Sequence, residues 1–115
     1  MSFQHQSLAG GKWFELSLCQ QMGNIGSEIG RARRWQSKDS RQFDNAFFRA
    51  VELLDLTLSD PRWRKRMKEI ARAREVVCDT WLGGKEYNST FDSLEKYFYH
   101  FAFAARNFPV RKQAD

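Results

Sequence analysis

From Lys12 to about Gln36 the apolar residues Phe14, Leu18, Met22, Ile25, Ile29 and Ala32 advance by steps of four and three, the spacing of one helix face. Trp13, Leu16 and Trp35 widen that face. Gly23, Gly26 and Gly30 interrupt it, and since each costs a helix interior roughly 1 kcal/mol relative to alanine, another helix is expected to approach closely there. Asp39, with Gln42 three positions later, has the pattern of a helix N-cap, and Phe43, Phe47, Ala50, Leu54 and Leu58 repeat behind it. That helix is expected to stop by Ser59. Asp60-Pro61 places a capping residue before a proline at the first helical position, so a third helix is expected with Met67, Ile70, Val77 and Trp81 inward and with Gly83 and Gly84 ending it. Ser89 with Asp92 opens a fourth, in which Phe91, Leu94, Phe98, Phe101, Ala105 and Phe108 keep step until Pro109.

The polar residues near position 38, the pair Ser59 and Asp60, and the stretch from Gly83 to Ser89 are short connections, which make successive helices antiparallel neighbours. The expected fold is all-α, an antiparallel up-down four-helix bundle over residues 12–108, flanked by flexible tails at 1–11 and 109–115. No copy follows at the period of a helical repeat array.

Composition adds little to the class but sharpens the surface. The 115 residues suit one domain, 42% of them are apolar and 15% aromatic, and there are only seven Gly and two Pro. Cys19 and Cys78 are too few for a disulfide framework and have no partner at metal-ligand spacing, which reads as a reduced, cytoplasmic compartment. No apolar run approaches the roughly 18 residues that span a bilayer, and the first residues carry no leader pattern, so no membrane is expected.

Nineteen Lys and Arg against fourteen Asp and Glu give a net charge of +5. Their placement matters more. Between Arg62 and Arg74 lie Arg62, Arg64, Lys65, Arg66, Lys68, Arg72 and Arg74 with the single acid Glu69. In an antiparallel bundle Lys12, Arg106, Arg111 and Lys112 join the start of this run at one pole, and Arg31, Arg33, Arg34, Lys38 and Arg41 gather at the other. Clusters of this kind bind phosphate backbones by counterion release, RNA more readily than DNA in this reading, whereas a merely solubilising face is the plain alternative. Trp63 could stack on a base, but its spacing from Met67 and Ile70 favours the core.

In the fourth helix, Lys96-Tyr97-Phe98-Tyr99-His100-Phe101-Ala102-Phe103 is apolar or aromatic on nearly every side. Tyr97, Tyr99 and Phe103 are the surplus, and they suggest a homo-oligomer or docking onto a larger protein, with deep burial as the alternative. Neither His5 nor His100 follows a Glu by three residues, as a di-metal bundle site requires, and no phosphate loop or nucleophile elbow is present. The expectation is a nonenzymatic protein without metal or cofactor. Glu28 and Arg74 fall at one level beside the apolar stripes, which predicts a structural ion pair, with Asp55 and Glu75 extending it.

The strings Gly23-Asn24-Ile25-Gly26-Ser27-Glu28, Ala50-Val51-Glu52-Leu53-Leu54-Asp55-Leu56-Thr57, Arg72-Ala73-Arg74-Glu75-Val76-Val77-Cys78-Asp79 and Lys96-Tyr97-Phe98-Tyr99-His100-Phe101 resemble a family of short, mostly uncharacterised bacterial and archaeal helical proteins. The resemblance runs from Trp13 to Arg106 and implies a discrete unit without an activity to transfer. In size, helix count and basic charge the chain also resembles small four-helix accessory subunits of diversity-generating retroelements. That likeness implies an oligomeric partner of a reverse transcriptase and its RNA, and it is an analogy of fold.

Overall fold

The computed structural model describes residues 11–107, and it contains four α-helices: α1 (Leu18–Trp35), α2 (Ser40–Leu58), α3 (Met67–Trp81) and α4 (Phe91–Asn107). The expected tails, His5, Phe108, the stop at Pro109, Arg111 and Lys112 lie outside the described residues, apart from Gly11 of the first tail. The helices alternate in direction as an all-α, antiparallel four-helix bundle. Arg33 at the end of α1 bonds Glu95 at the start of α4, and Trp81 at the end of α3 stacks on Phe47 near the start of α2.

Helix α1 is the hub, packing along both α2 and α4, while α3 leans on α2 and barely touches α4. Met22, Ile25 and Ile29 of α1 fill the centre with Leu54, Ile70, Val77, Phe91 and Phe98. The glycines make the α1–α4 contact possible. A Cβ on Gly26 would stand 2.6 Å from the Cβ of Phe98, and one on Gly23 would stand 3.1 Å from the Cα of Ala102. Backbone approach of this kind returns through packing what the glycines cost in helix propensity.

Three helix starts depart from the expected ones. The first helix does not begin at Lys12: Lys12–Glu15 forms a 3-10 turn, Leu16 is extended, and Ser17 caps α1. The Ser17 hydroxyl accepts from the Gln20 N–H at 3.1 Å, and the Gln20 side chain accepts from the Ser17 N–H at 2.9 Å. The break turns Trp13 into the core, where it is 1% exposed. Thr90 rather than Ser89 caps α4, through reciprocal bonds with Ser93 at 3.0 and 3.1 Å.

Pro61 does restart the chain, but as a 3-10 segment, Pro61–Arg66, with a kink at Trp63 before α3 begins. A 3-10 turn advances about 120° per residue instead of the α-helical 100°, so the phase carried forward from Pro61 is wrong. The inward stripe runs through Ile70, Ala73, Val77 and Thr80. Met67, expected inside, is 44% exposed, and Trp81 is turned to the edge, where its indole N–H reaches Asp44 at 3.4 Å.

Candidate nucleic-acid interface

The pole formed by the end of α2 and the 3-10 segment is organised by a buried polar network. At Asp60 the chain reverses, and its carboxylate accepts from the Arg62 N–H at 3.0 Å and from the Arg62 guanidinium at 2.7 Å. The same guanidinium nitrogen donates to the Leu16 carbonyl at 2.7 Å, tying the entry of α1 to the exit of α2. Gln21 is fully buried, and its amide nitrogen donates to the Trp13 carbonyl at 2.8 Å and to Asp60 at 3.3 Å. Its amide oxygen accepts from the Trp63 indole at 2.8 Å. The Trp13 indole in turn donates to the Thr57 hydroxyl at 3.1 Å, which donates to the Leu53 carbonyl at 2.9 Å.

Each buried polar side chain of this network therefore has a partner, which is the condition for burying them at all. Trp63 is 7% exposed with its N–H satisfied, so it belongs to the core and is not a stacking surface. Arg62 serves the same network, half-buried against Asp60 with its guanidinium 4.3 Å from the Trp63 ring centroid. It is thereby removed from the set of cations that a ligand would meet. Burial would raise the Asp60 pKa, but the hydrogen bonds from the Arg62 side chain and backbone and from Gln21 outweigh it and hold the carboxyl below its ordinary value.

On this braced segment Arg64, Lys65 and Arg66 are exposed, as is Lys68 in the first turn of α3. Among the described residues Arg64, Lys65 and Lys68 have no carboxylate within 4.0 Å, whereas Arg66 pairs with Glu69 at 2.6 Å and Arg72 with Glu75 at 3.6 Å. Both of those pairs are exposed and one helical turn apart, a type worth only a few tenths of a kcal/mol, so phosphate competes with the carboxylates at little cost. Lys12 and Arg106 are also exposed near this end. Arg106 shares a surface depression with Leu16 and Cys19.

At the opposite pole Arg31 bonds Glu28 at 3.4 Å and Arg33 bonds Glu95, while Arg34, Lys38 and Arg41 are exposed with no carboxylate in reach among the described residues. Arg33 and Arg34 lie in the last turn of α1, where the partial negative charge of the free carbonyls favours cations. Arg33 and Arg34 thus have a structural reason to be basic, whereas Lys38 and Arg41 lie beyond the end of α1.

The expected Glu28–Arg74 ion pair is not formed. Glu28 turns to Arg31 on its own helix, and Arg74 bonds Asp55 of α2 at 2.7 Å. The rotation of α3 about its axis puts Arg74 on the flank facing α2, which decides the partner. Burial pushes the neighbouring Cys78 thiol up, keeping it protonated and a poor nucleophile. Glu75 joins a different cluster, accepting from the Tyr87 hydroxyl at 3.0 Å beside Arg72.

The three surplus aromatics of α4 do not form one surface. Tyr97 lines a groove of about 360 Å³ between α3 and α4, opposite Ala73 and Val76. Tyr99 lies on the other flank, beside Gly23, Gly26 and Ser27 of α1, with Phe103 at a ring-centroid distance of 6.3 Å. Tyr99 is 53% exposed and Phe103 45%.

Among the described residues no group of three or more His, Cys, Asp or Glu side chains could hold a metal ion, and no helix is long and apolar enough to cross a membrane. In comparison with known proteins, no family model, curated protein or solved structure matches this chain.

Proposed function

We propose that the protein is a nonenzymatic basic accessory subunit that binds nucleic acid, RNA in preference to DNA, through its basic ends, and that it works as a homo-oligomer or within a larger cytoplasmic assembly. The observation that carries this reading is the trio Arg64, Lys65 and Lys68, exposed and without carboxylate partners among the described residues, the first two on the segment fixed by the Asp60 network and the third in the first turn of α3 directly behind it. A rigid base matters because the cations then meet phosphate without losing much conformational entropy. Arg66 and Arg72 extend the same surface. Arg34, Lys38 and Arg41, with Arg31 and Arg33, supply a second, weaker contact region. The fold analogy with retroelement accessory subunits points the same way, to a nucleoprotein partner.

Fluorescence anisotropy with a short single-stranded RNA at low and moderate salt tests the reading. Binding is expected to weaken steeply with salt. The triple variant Arg64→Glu, Lys65→Glu, Lys68→Glu is expected to lose at least about tenfold in affinity and to flatten the logarithmic salt slope by roughly two, since each phosphate contact on a single strand contributes about 0.7. Circular dichroism should be unchanged, as all three side chains are exposed. Undiminished affinity in the triple variant rules out this surface.

A second reading rests on Tyr99 and Phe103, whose exposure on the outer flank of α4 suits a protein partner, with the basic charge then incidental. Light scattering tests whether this flank joins copies of the chain. If it does, Tyr99→Glu with Phe103→Glu is expected to reduce an oligomer to the mass of a monomer. An unchanged mass means that the flank is not the contact between copies.

A further inference from the structure

The seam between α3 and α4 is open where the other neighbouring helices close, and it leaves the α3–α4 groove described above. Its floor and walls are Ala73, Val76, Leu94, Tyr97 and Phe98, and its rim carries Arg72 and Glu69. We infer that this groove receives one unstacked base of a single-stranded RNA whose backbone follows the basic edge of α3. The inference rests on the nucleic-acid reading above and extends it from the phosphates to the bases.

Charge complementarity chooses the occupant. The α3 side of the groove continues directly from the basic pole: Lys68 and Arg72 stand one helical turn apart, about 6 Å along the axis, and Lys65 precedes them in the 3-10 segment. A polyanion laid along this edge gains at each step. An apolar helix from a protein partner would instead have to seat itself against the charged side chains of Lys68, Arg72 and Glu69.

The interior suits an aromatic heterocycle. Tyr97 is 38% exposed, and its ring is braced edge-on by Phe98 at 5.1 Å and Phe101 at 5.5 Å between centroids. A ring held in this way offers a stacking surface with little rotamer entropy left to lose. Arg72 lies with its guanidinium 5.6 Å from the Tyr87 ring, poised at the mouth to meet phosphate or the edge of a base. Glu69 can accept from the exocyclic amine of adenine, cytosine or guanine, or from the N3–H of uracil. A base paired in a duplex cannot enter without being unstacked, so the groove selects single strands.

Anisotropy titrations with the full chain, a single-stranded RNA of about twelve nucleotides and a duplex of the same length test the inference. Tyr97→Ala is expected to weaken single-strand binding about tenfold while leaving duplex binding and the salt slope unchanged, and Tyr97→Phe is expected to retain affinity. A 2-aminopurine placed in the strand should change its fluorescence on binding the wild-type chain and not on binding Tyr97→Ala. Unchanged single-strand affinity in a folded Tyr97→Ala protein, or equal losses for strand and duplex, overturns base insertion. The basic-surface reading survives that result if the Arg64, Lys65, Lys68 charge reversal still abolishes binding. Should neither RNA bind the wild-type chain at low salt, both readings fail together. A second copy occupying the groove would show as a change of mass in Tyr97→Ala with RNA affinity unaltered, which also overturns the inference.

Discussion

Replacing Asp60 by alanine is expected to cost about 3 kcal/mol of folding stability and to lower the thermal midpoint by more than about 10 °C. The carboxylate caps the 3-10 segment, pairs with Arg62 and accepts from Gln21, so its loss removes a cap and leaves polar groups unpaired in the interior. Arg62 keeps some access to water, which holds the cost at the lower end of the range for broken buried pairs. Chemical denaturation monitored by tryptophan fluorescence reads the effect directly, because Trp13 and Trp63 both donate into the network.

The same carboxylate sets an acid limit. Its pKa in the folded chain lies below the ordinary 3.8, so the unfolded state takes up a proton first as pH falls. The stabilisation is therefore complete above 3.8 and is lost as pH drops through the lowered folded value. Asp60→Asn is expected to be less stable at neutral pH and to lack this component of the acid-induced loss. An identical acid limb in wild type and Asp60→Asn would show that other carboxylates govern it.

The second large effect is expected at Gly26. A valine there puts its Cβ where the Phe98 side chain leaves the backbone of α4, a contact of 2.6 Å that no rotamer change relieves. Moving α4 outward would open the core around Phe91 and Phe98, both buried, and we expect a loss of about 3 kcal/mol despite the gain in helix propensity over glycine. Hydrogen exchange should localise the damage to α4 first, since α1 stays packed on α2. Full stability in Gly26→Val would mean that α4 can shift without cost.

These two sites differ in how far the sequence disclosed them. The glycine spacing on an otherwise apolar helix face indicated a close helix neighbour, and α4 is that neighbour. Asp60 was legible as a cap because a short acid before proline at a helix start has one dominant local use. Its wider role was not legible, because Gln21 and Trp13 lie some forty residues away and nothing in their own neighbourhoods marks them as partners. The capping box at Ser17 and Gln20 could have been found from its spacing, and it would have corrected the start of α1.

For the candidate interface, the sequence located the basic runs but not their availability. Arg62, Arg64, Lys65, Arg66 and Lys68 look alike in a string, yet Asp60 and the Leu16 carbonyl capture Arg62 while Arg64, Lys65 and Lys68 reach solvent. Long charged side chains choose among whatever acceptors the fold brings within reach, and that choice is non-local. The same reasoning explains why Arg74 meets Asp55 instead of Glu28.

The number of helices, their alternation and the caps at Asp39 and Asp60 are legible along the chain, because periodicity and capping are set by residues within a few positions of one another. The rotation of α3, the separation of Tyr97 from Tyr99 and Phe103, and the open α3–α4 seam emerge from helix packing alone. A 3-10 segment of six residues shifts the phase of everything behind it, and a helix that is apolar on nearly every side carries no internal signal of which flank meets a neighbour.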